Sequence, residues 1–317
     1  MSALRALLVG AERRRQGTGP FVLDALLRAG VAVPAIVGSS EQSVQLTVER
    51  LQRSRGLRLQ GYHQLGQALA EQAPDLVALC SPYRLHHDQL RLIAEAGCHC
   101  LSEKPLWWTP DGESLRAGTR DIVEAFASRK RLLETLTQWP YALGAWDQLY
   151  GRHRRGQPGA FEMWLTPMTR GADTIPDCAP HVFSMLLSLA GVGEVEDARV
   201  WNTEGSAPAT HVRFGYRHDR GRIQVRATFQ TGHARPHPAA FAIDSLRVDR
   251  VVRLPGYRIA FAAGGREIPV DDPLEALVVD FVRGVALARP THREKLASSM
   301  DGLARLAEAA RTMQHST

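Results

Sequence analysis

Lysine is the scarcest charged residue in this chain. Lys104, Lys130 and Lys295 are the only three among 317 residues, although lysine and arginine together number 39. Wherever a generic cation would serve, the chain uses arginine, so each lysine invites a specific explanation. Long apolar runs are missing too. None approaches the roughly 18 to 20 residues that span a bilayer, which excludes a membrane helix and leaves no membrane partner to expect. The opening MSALRALLVG lacks the extended apolar region and small-residue cleavage site of a secretory signal, so a cytoplasmic location is expected. There is no basic run either. The net charge of +6 comes from arginines spread along the chain without interleaved aromatics, which argues against a nucleic-acid partner. Cysteine is sparse, and Cys80, Cys98, Cys100 and Cys178 follow no disulfide framework. Cys98-His99-Cys100 has the residue types of a metal site. Alternate side chains of a strand point to opposite faces, however, and no second ligand pair accompanies it, so buried thiols and no metal are expected.

What remains is an ordinary globular composition, 44% hydrophobic and 23% charged, in a length that suits two domains. The first part alternates. An apolar run over 5–10 ends in glycine, a helix follows over 20–28, and a second buried strand covers 33–38, which together make a βαβ unit. Helices over 41–56, 62–71, 86–96 and 111–131 alternate with strands over 75–80, 98–102 and 132–137. This is the grammar of a doubly wound parallel sheet, a Rossmann domain assigned here to residues 1–140. Residues 141–317 read differently, as an α+β domain with an open, mostly antiparallel sheet. Its strands are expected over 160–166, 195–203, 210–217, 222–231, 239–249 and 253–262. Helices are expected over 179–189, 273–287 and 292–314, the last of them packing back on the first domain.

The strongest chemical signal is Glu103-Lys104-Pro105, at the end of the strand over 98–102. Ser81-Pro82 ends the preceding strand, and His86 lies early in the helix between them. In order and at this spacing, after a βαβ opening, the set resembles the family of glucose-fructose oxidoreductase, inositol dehydrogenase and rhizopine-catabolism dehydrogenases. A lysine at the carboxyl end of a parallel strand points into the crevice where open α/β sheets bind ligands. There it can hydrogen-bond a substrate hydroxyl or the cofactor, and its charge lowers the pKa of a neighbouring acid. The resemblance implies that Glu103 helps fix the loop, that Pro105 follows a cis bond, and that Ser81, Pro82, His86, Glu103 and Lys104 belong to the cofactor site.

The second constellation is Asp177-Cys178-Ala179-Pro180-His181. The family carries Asp-x-Gly-x-His here, which implies that His181 is the general acid/base and that Asp177 binds the substrate or orients the catalytic group. Histidine suits the role because its unperturbed pKa, about 6.5, lets it accept and donate a proton near neutrality. If the turn is helical, a spacing of four puts both side chains on one side. The chain departs from the family at Ala179, where glycine is usual, and at Ser184, where an aspartate is common. Gln138 takes the place of a polar residue that faces the nicotinamide or substrate. Trp107, Trp108, Trp139 and Tyr141 either line an apolar pocket or serve packing between domains.

The family's Gly-x-Gly-x-x-Gly is lengthened. Gly10 keeps the first position, and Gly17-Thr18-Gly19-Pro20 follow an insertion carrying Arg13, Arg14 and Arg15. The physics requires backbone N–H groups at a helix N-terminus with no side chain in the way of the pyrophosphate, and Gly17 to Pro20 can supply it. The second strand ends in Gly38-Ser39-Ser40 and not in the acid that would bind a ribose 2′-hydroxyl. Ser39 and Ser40, with Arg13 and Arg14 in the loop, favour NADP(H) over NAD(H). The resemblance implies an NAD(P)-dependent oxidoreductase acting on the hydroxyl or carbonyl carbon of a sugar, cyclitol or related small metabolite, working as a homo-oligomer. The competing expectation is a non-catalytic sensor or partner subunit that binds a nucleotide or metabolite.

Overall fold

The computed structural model describes residues 3–12 and 17–314. The chain divides into two compact units, the first formed by residues 1–108, 118–136 and 274–293 and the second by the rest. In the first unit β1 (Arg5–Val9), α1 (Gly19–Arg28), β2 (Ala32–Val37), α2 (Glu41–Arg55) and β3 (Gln60–Tyr62) are followed by α3 (Leu65–Gln72) and β4 (Leu76–Leu79). Then come α4 (His86–Glu95), β5 (His99–Ser102), α5 (Gly112–Ser128) and β6 (Leu133–Thr135). The six strands lie in the order β3-β2-β1-β4-β5-β6, and every pair is parallel. The strands β1 and β4 are apolar and almost wholly buried, as sheets covered on both faces demand. The strand order reverses between β1 and β4, so the crevice lies at their carboxyl ends. The register aligns those ends: Val9 pairs with Val37 and with Leu79, and Leu79 with Ser102. Gly10, Gly38, Cys80 and Glu103 therefore stand side by side, each one residue past its strand.

The second unit carries α6 (Leu143–Tyr150), β7 (Ala160–Leu165), α7 (Thr174–Ala190), β8 (Gly193–Thr203), β9 (Ala209–His218) and β10 (Gly221–Gln230). After them run β11 (Ala239–Ile243), β12 (Leu246–Arg253), β13 (Arg258–Ala263) and β14 (Arg266–Val270). These eight strands form one sheet ordered β14-β13-β12-β11-β7-β10-β9-β8, antiparallel except where β7 meets β10. The strand expected over 239–249 is in fact a hairpin. Asp244 and Ser245 both have positive φ, +48° and +68°, which matches the twist of a two-residue connection. The Asp244 carboxylate accepts from the N–H groups of Gly159 and Ala160 at 2.9 and 2.8 Å and so pins the turn. Three further elements, β3, α6 and β14, are short and were not anticipated.

The chain's return to the first unit also differs from expectation. It is made by 274–293, which contains most of α8 (Pro273–Ala286), whereas α9 (Arg293–Gln314) from Glu294 onward belongs to the second unit. The reason is the apolar stripe Leu274, Leu277, Val278, Phe281 and Val285, which is buried in one cluster with Ala6, Leu8, Val22 and Leu132. Polar ties reinforce it: Arg28 pairs with Glu275 at 2.8 Å, and the Thr291 hydroxyl accepts from the Leu133 N–H and donates to the Arg131 carbonyl. In α9, Gly302 faces Phe183, and Arg116 pairs with Asp301 and Glu308.

Cys98 and Cys100 are buried, and Cys98 donates its thiol to the Pro74 carbonyl at 3.2 Å. Their neighbour His99 accepts the Leu132 N–H through Nδ1 at 2.8 Å. Burial, seconded by the charge of Arg131, pushes its pKa from 6.5 down to about 4. The unfolded chain takes up this proton below pH 6.5 and the folded chain only near pH 4, so stability present above 6.5 is lost as the pH falls between those values. The loss amounts to about 3 kcal/mol for this one group. Urea unfolding of His99→Gln through this window should show a correspondingly shallower acid dependence than the wild-type chain; parallel curves would contradict the assignment.

Candidate nucleotide and substrate sites

The first site starts from two glycines. Gly10 has φ +82°, and a Cβ there would lie 2.6 Å from the Cys80 carbonyl oxygen. A Cβ on Gly19 would lie 2.2 Å from the Gly10 carbonyl oxygen. No side chain fits at either position, so the backbone itself walls the crevice at the ends of β1 and β4. Gly19 opens α1, Pro20 lies in its first turn, and no acidic residue is there. Thr18, at the N-cap, makes no side-chain bond to the helix. The start of the helix thus carries no acid and no side-chain cap, which suits an anion such as a pyrophosphate. A dinucleotide fits these residues.

The Thr18 hydroxyl donates instead to Glu103, a buried carboxylate that also receives the Lys104 N–H at 3.3 Å. One short contact joins the glycine loop to the end of β5 across 85 residues of sequence. Lys104 is half-buried at that strand end, and its peptide bond to Pro105 is cis. Ser81 donates its hydroxyl to Gln89 at 2.5 Å. His86, expected in the cofactor site, is turned inward onto backbone carbonyls. It is fully buried, with Nε2 2.9 Å from the Ser81 carbonyl oxygen and Nδ1 3.1 and 3.0 Å from those of Pro105 and Leu106. The ring clamps the ends of β4 and β5 together and shapes the loop that carries Lys104.

Ser40 caps α2 in a reciprocal pairing with Ser43, and Ser39 stands exposed beside it with its hydroxyl 3.5 Å from that of Ser43. Gly17 is half-buried, whereas Arg13 and Arg14 lie outside the described residues. Trp107 proves to be a packing residue: its indole N–H donates to Thr119 at 3.0 Å, and its ring stacks at a tilt on His87, 4.8 Å away.

The second unit assembles its own cluster. Asp177 and His181 lie four residues apart on α7, both half-buried. Thr169 donates to the Asp177 carboxylate at 3.0 Å. Gln138 immediately precedes the turn Trp139–Ala142, and Trp139 is buried. The indole meets the rings of His181, Phe241 and Phe261 edge-on at 6.4, 6.2 and 6.1 Å. Two residues that the sequence did not announce complete the cluster. Arg250 places its guanidinium 5.6 Å from the Trp139 ring, and His237, whose carbonyl Arg250 bonds, feels the charge of Asp177. Burial first, and then the charges of Arg235 and Arg250, push the His237 pKa down. Among the described residues, no three His, Cys, Asp or Glu side chains are grouped to hold a metal ion, and no helix is long and apolar enough to cross a membrane.

A doubly wound parallel sheet with a glycine-walled helix N-terminus at its switch point is the architecture of a dinucleotide-binding unit. Residues 4–133 match the model of the GFO_IDH_MocA oxidoreductase family, described by its NAD-binding Rossmann fold. Solved structures share the whole fold at low identity. UDP-N-acetylglucosamine 3-dehydrogenase from Acidithiobacillus ferrooxidans superposes with a TM-score of 0.69 at 17% identity, over 98% of each chain. Scyllo-inositol dehydrogenase from Lactobacillus casei, solved with NAD(H) and scyllo-inositol, gives 0.73 at 12% identity, again over 98% of each chain. Biliverdin reductase from Synechocystis sp. PCC 6803, with biliverdin and NADP+, gives 0.65 at 14% identity over 96% of this chain and 98% of that one. A short segment is 47% identical to D-glucoside 3-dehydrogenase of Escherichia coli (strain K12), over 38 residues that make up 12% of this chain and 11% of that protein.

Proposed function

We propose that the protein is an NAD(P)-dependent dehydrogenase or reductase acting on a hydroxyl or carbonyl carbon of a sugar, cyclitol or related small metabolite. The observation that carries this reading is the bare backbone of Gly10 and Gly19 at the start of α1, packed too closely for any side chain and set at the switch point of the parallel sheet. When bound, the nicotinamide supplies or accepts the hydride; the protein contributes orientation and the proton. Gly10, Gly17, Thr18, Gly19 and Pro20 hold the pyrophosphate. Ser81, Pro82 and Glu103 shape the neighbouring strand ends, and Gln138 contributes a polar contact. Lys104 orients a substrate hydroxyl or the cofactor and adds a fixed positive charge. In the second unit His181 takes the proton from the substrate hydroxyl during oxidation and returns it during reduction, and Asp177 positions the substrate.

NADP(H) is the preferred form in this reading. No acid directly ends β2: Gly38-Ser39-Ser40 come first, and the exposed Glu41 opens the helix that follows. Arg13 and Arg14 would meet the extra phosphate. The same reading includes a cytoplasmic enzyme assembled from several copies. Titration with NADPH and NADH, followed by nicotinamide fluorescence, tests both the cofactor and its form. Saturation by NADPH in the tens of micromolar, with weaker NADH binding, is the expected result. Binding of neither would overturn the dehydrogenase reading, and tighter NADH would overturn the phosphate preference alone.

A further inference from the structure

Several arginines of the second unit's sheet are paired with a carboxylate, among them Arg217 and Arg222. On β12 itself, Arg247 pairs with Asp249 and Arg253 with Glu267. Arg250, between them, points the other way. Register places it opposite Phe261 of β13, and both touch Trp139, so its side chain lies on the face that carries His181. Its Nη2 donates to the His237 carbonyl at 2.7 Å. Its Nε is buried and meets no acceptor among the described residues, and the same holds for Nδ1 of His237. Buried cations are ordinarily paired, because desolvation is not repaid without a counter-charge. The surroundings deepen the deficit. Arg235, Arg250 and His233 all bear on His237 as positive charge, and Asp177 alone opposes them. Burial pushes the Arg250 pKa below its ordinary value, and the charge of the nearby Tyr257 phenol opposes the shift.

We propose that Arg250, with His237, recognises an anionic group on the substrate, a carboxylate or phosphate carried by the molecule whose carbinol or carbonyl His181 serves. The guanidinium N–H groups not used by the His237 carbonyl form charge-assisted bonds to the oxyanion. The Nδ1–H tautomer of His237 adds a second donor. Trp139 holds the guanidinium plane through its ring face and leaves the fork oriented before the ligand arrives. Because Trp139 touches both Arg250 and His181, the anion and the reacting carbon belong to one small molecule. The substrate is therefore an acidic polyhydroxylated metabolite, such as a sugar acid or sugar phosphate, and not a neutral polyol. This inference rests on the dehydrogenase reading for the word substrate, but the anion site itself is independent of the cofactor.

The test is equilibrium binding to the full chain without nicotinamide, read by calorimetry. The probes are glucuronate, gluconate, glucose 6-phosphate, acetate and inorganic phosphate, with glucose and myo-inositol as neutral controls. At least one anionic probe should bind in the millimolar range or tighter, and Arg250→Gln should weaken it roughly 10- to 100-fold. Arg250→Lys keeps the charge but not the planar fork, and should restore part of the affinity. Carboxylate probes responding alone assign a carboxylate, and phosphate probes responding alone assign a phosphate. Anion affinity unchanged in Arg250→Gln, no anion binding at all, or neutral controls binding as well as anions would each overturn the proposal. Thermal melting of both variants separates lost binding from lost folding. If Arg250-dependent binding persists while nicotinamide nucleotides fail to bind, the anion site stands and the dehydrogenase reading falls.

Discussion

Gly19→Ala should abolish nicotinamide-nucleotide binding and lower the stability of the chain. The new methyl group would meet the Gly10 carbonyl oxygen at 2.2 Å and the Ala11 backbone at 3.1 Å. Both obstacles are main chain, so no side-chain rotation relieves the overlap, and the loop must move away from α1. Moving it separates the helix N-terminus from the crevice at the ends of β1 and β4. It also pulls Thr18 off Glu103, to which its hydroxyl is bonded. Affinity for NADPH should fall by roughly 100-fold or more, the worth of several hydrogen bonds to a charged group. Destabilisation of about 1–3 kcal/mol, the usual cost of overpacking, should accompany it. Fluorescence titration and urea unfolding measure the two effects separately. A Gly19→Ala protein that binds NADPH as the wild type does would show that the pyrophosphate lies elsewhere. Gly30 is the control for backbone effects: unlike Gly19 it has positive φ, and a Cβ there meets nothing within 4 Å. Gly30→Ala should carry only the backbone strain and leave nucleotide binding intact.

The second large effect is on turnover. His181→Ala should reduce kcat roughly 10²- to 10⁴-fold, the range for removing a positioned general acid or base. NADPH affinity should stay the same, because the glycine cradle is built entirely from the first unit. His181 belongs to the second unit, on α7 against the edge of Trp139. Its backbone carbonyl accepts the Ser184 hydroxyl at 2.8 Å, a tie that the alanine variant keeps, so the helix should remain intact. Single-turnover absorbance of the nicotinamide separates loss of chemistry from slow product release. Turnover within a few-fold of wild type would remove His181 from the proton transfer and leave Asp177 to be tested in its place.

The parts of the two sites that were legible in the sequence are the ones written locally. Glu103-Lys104-Pro105 after a buried strand, and Asp177 four residues before His181, are short patterns whose meaning depends on one strand end or one helical turn. The glycine loop was readable despite its lengthening, because the need for bare backbone at Gly19 is met by residue type alone. His86 is the opposite case. A histidine early in a helix is compatible with a ligand or with a clamp, and only the carbonyls of Ser81, Pro105 and Leu106 around its ring decide between them. Arg250 was not legible because its role depends on the Asp244-Ser245 turn. Read as one strand over 239–249, the segment ends before Arg250. Folded back as a hairpin, it brings that residue opposite Phe261 and against Trp139.

The sequence by itself determined the two grammars, parallel and mostly antiparallel, because hydrophobic periodicity and turn residues act within a few positions of one another. It also determined the chemistry available at Lys104, Asp177 and His181. The tertiary structure alone decided which distant residues meet. It brought α8 into the first unit, bonded Thr18 to Glu103, and left the Arg250 Nε buried with no acceptor among the described residues. Such pairings follow from how buried faces and strand registers close over long stretches of chain, and no local pattern encodes that closure.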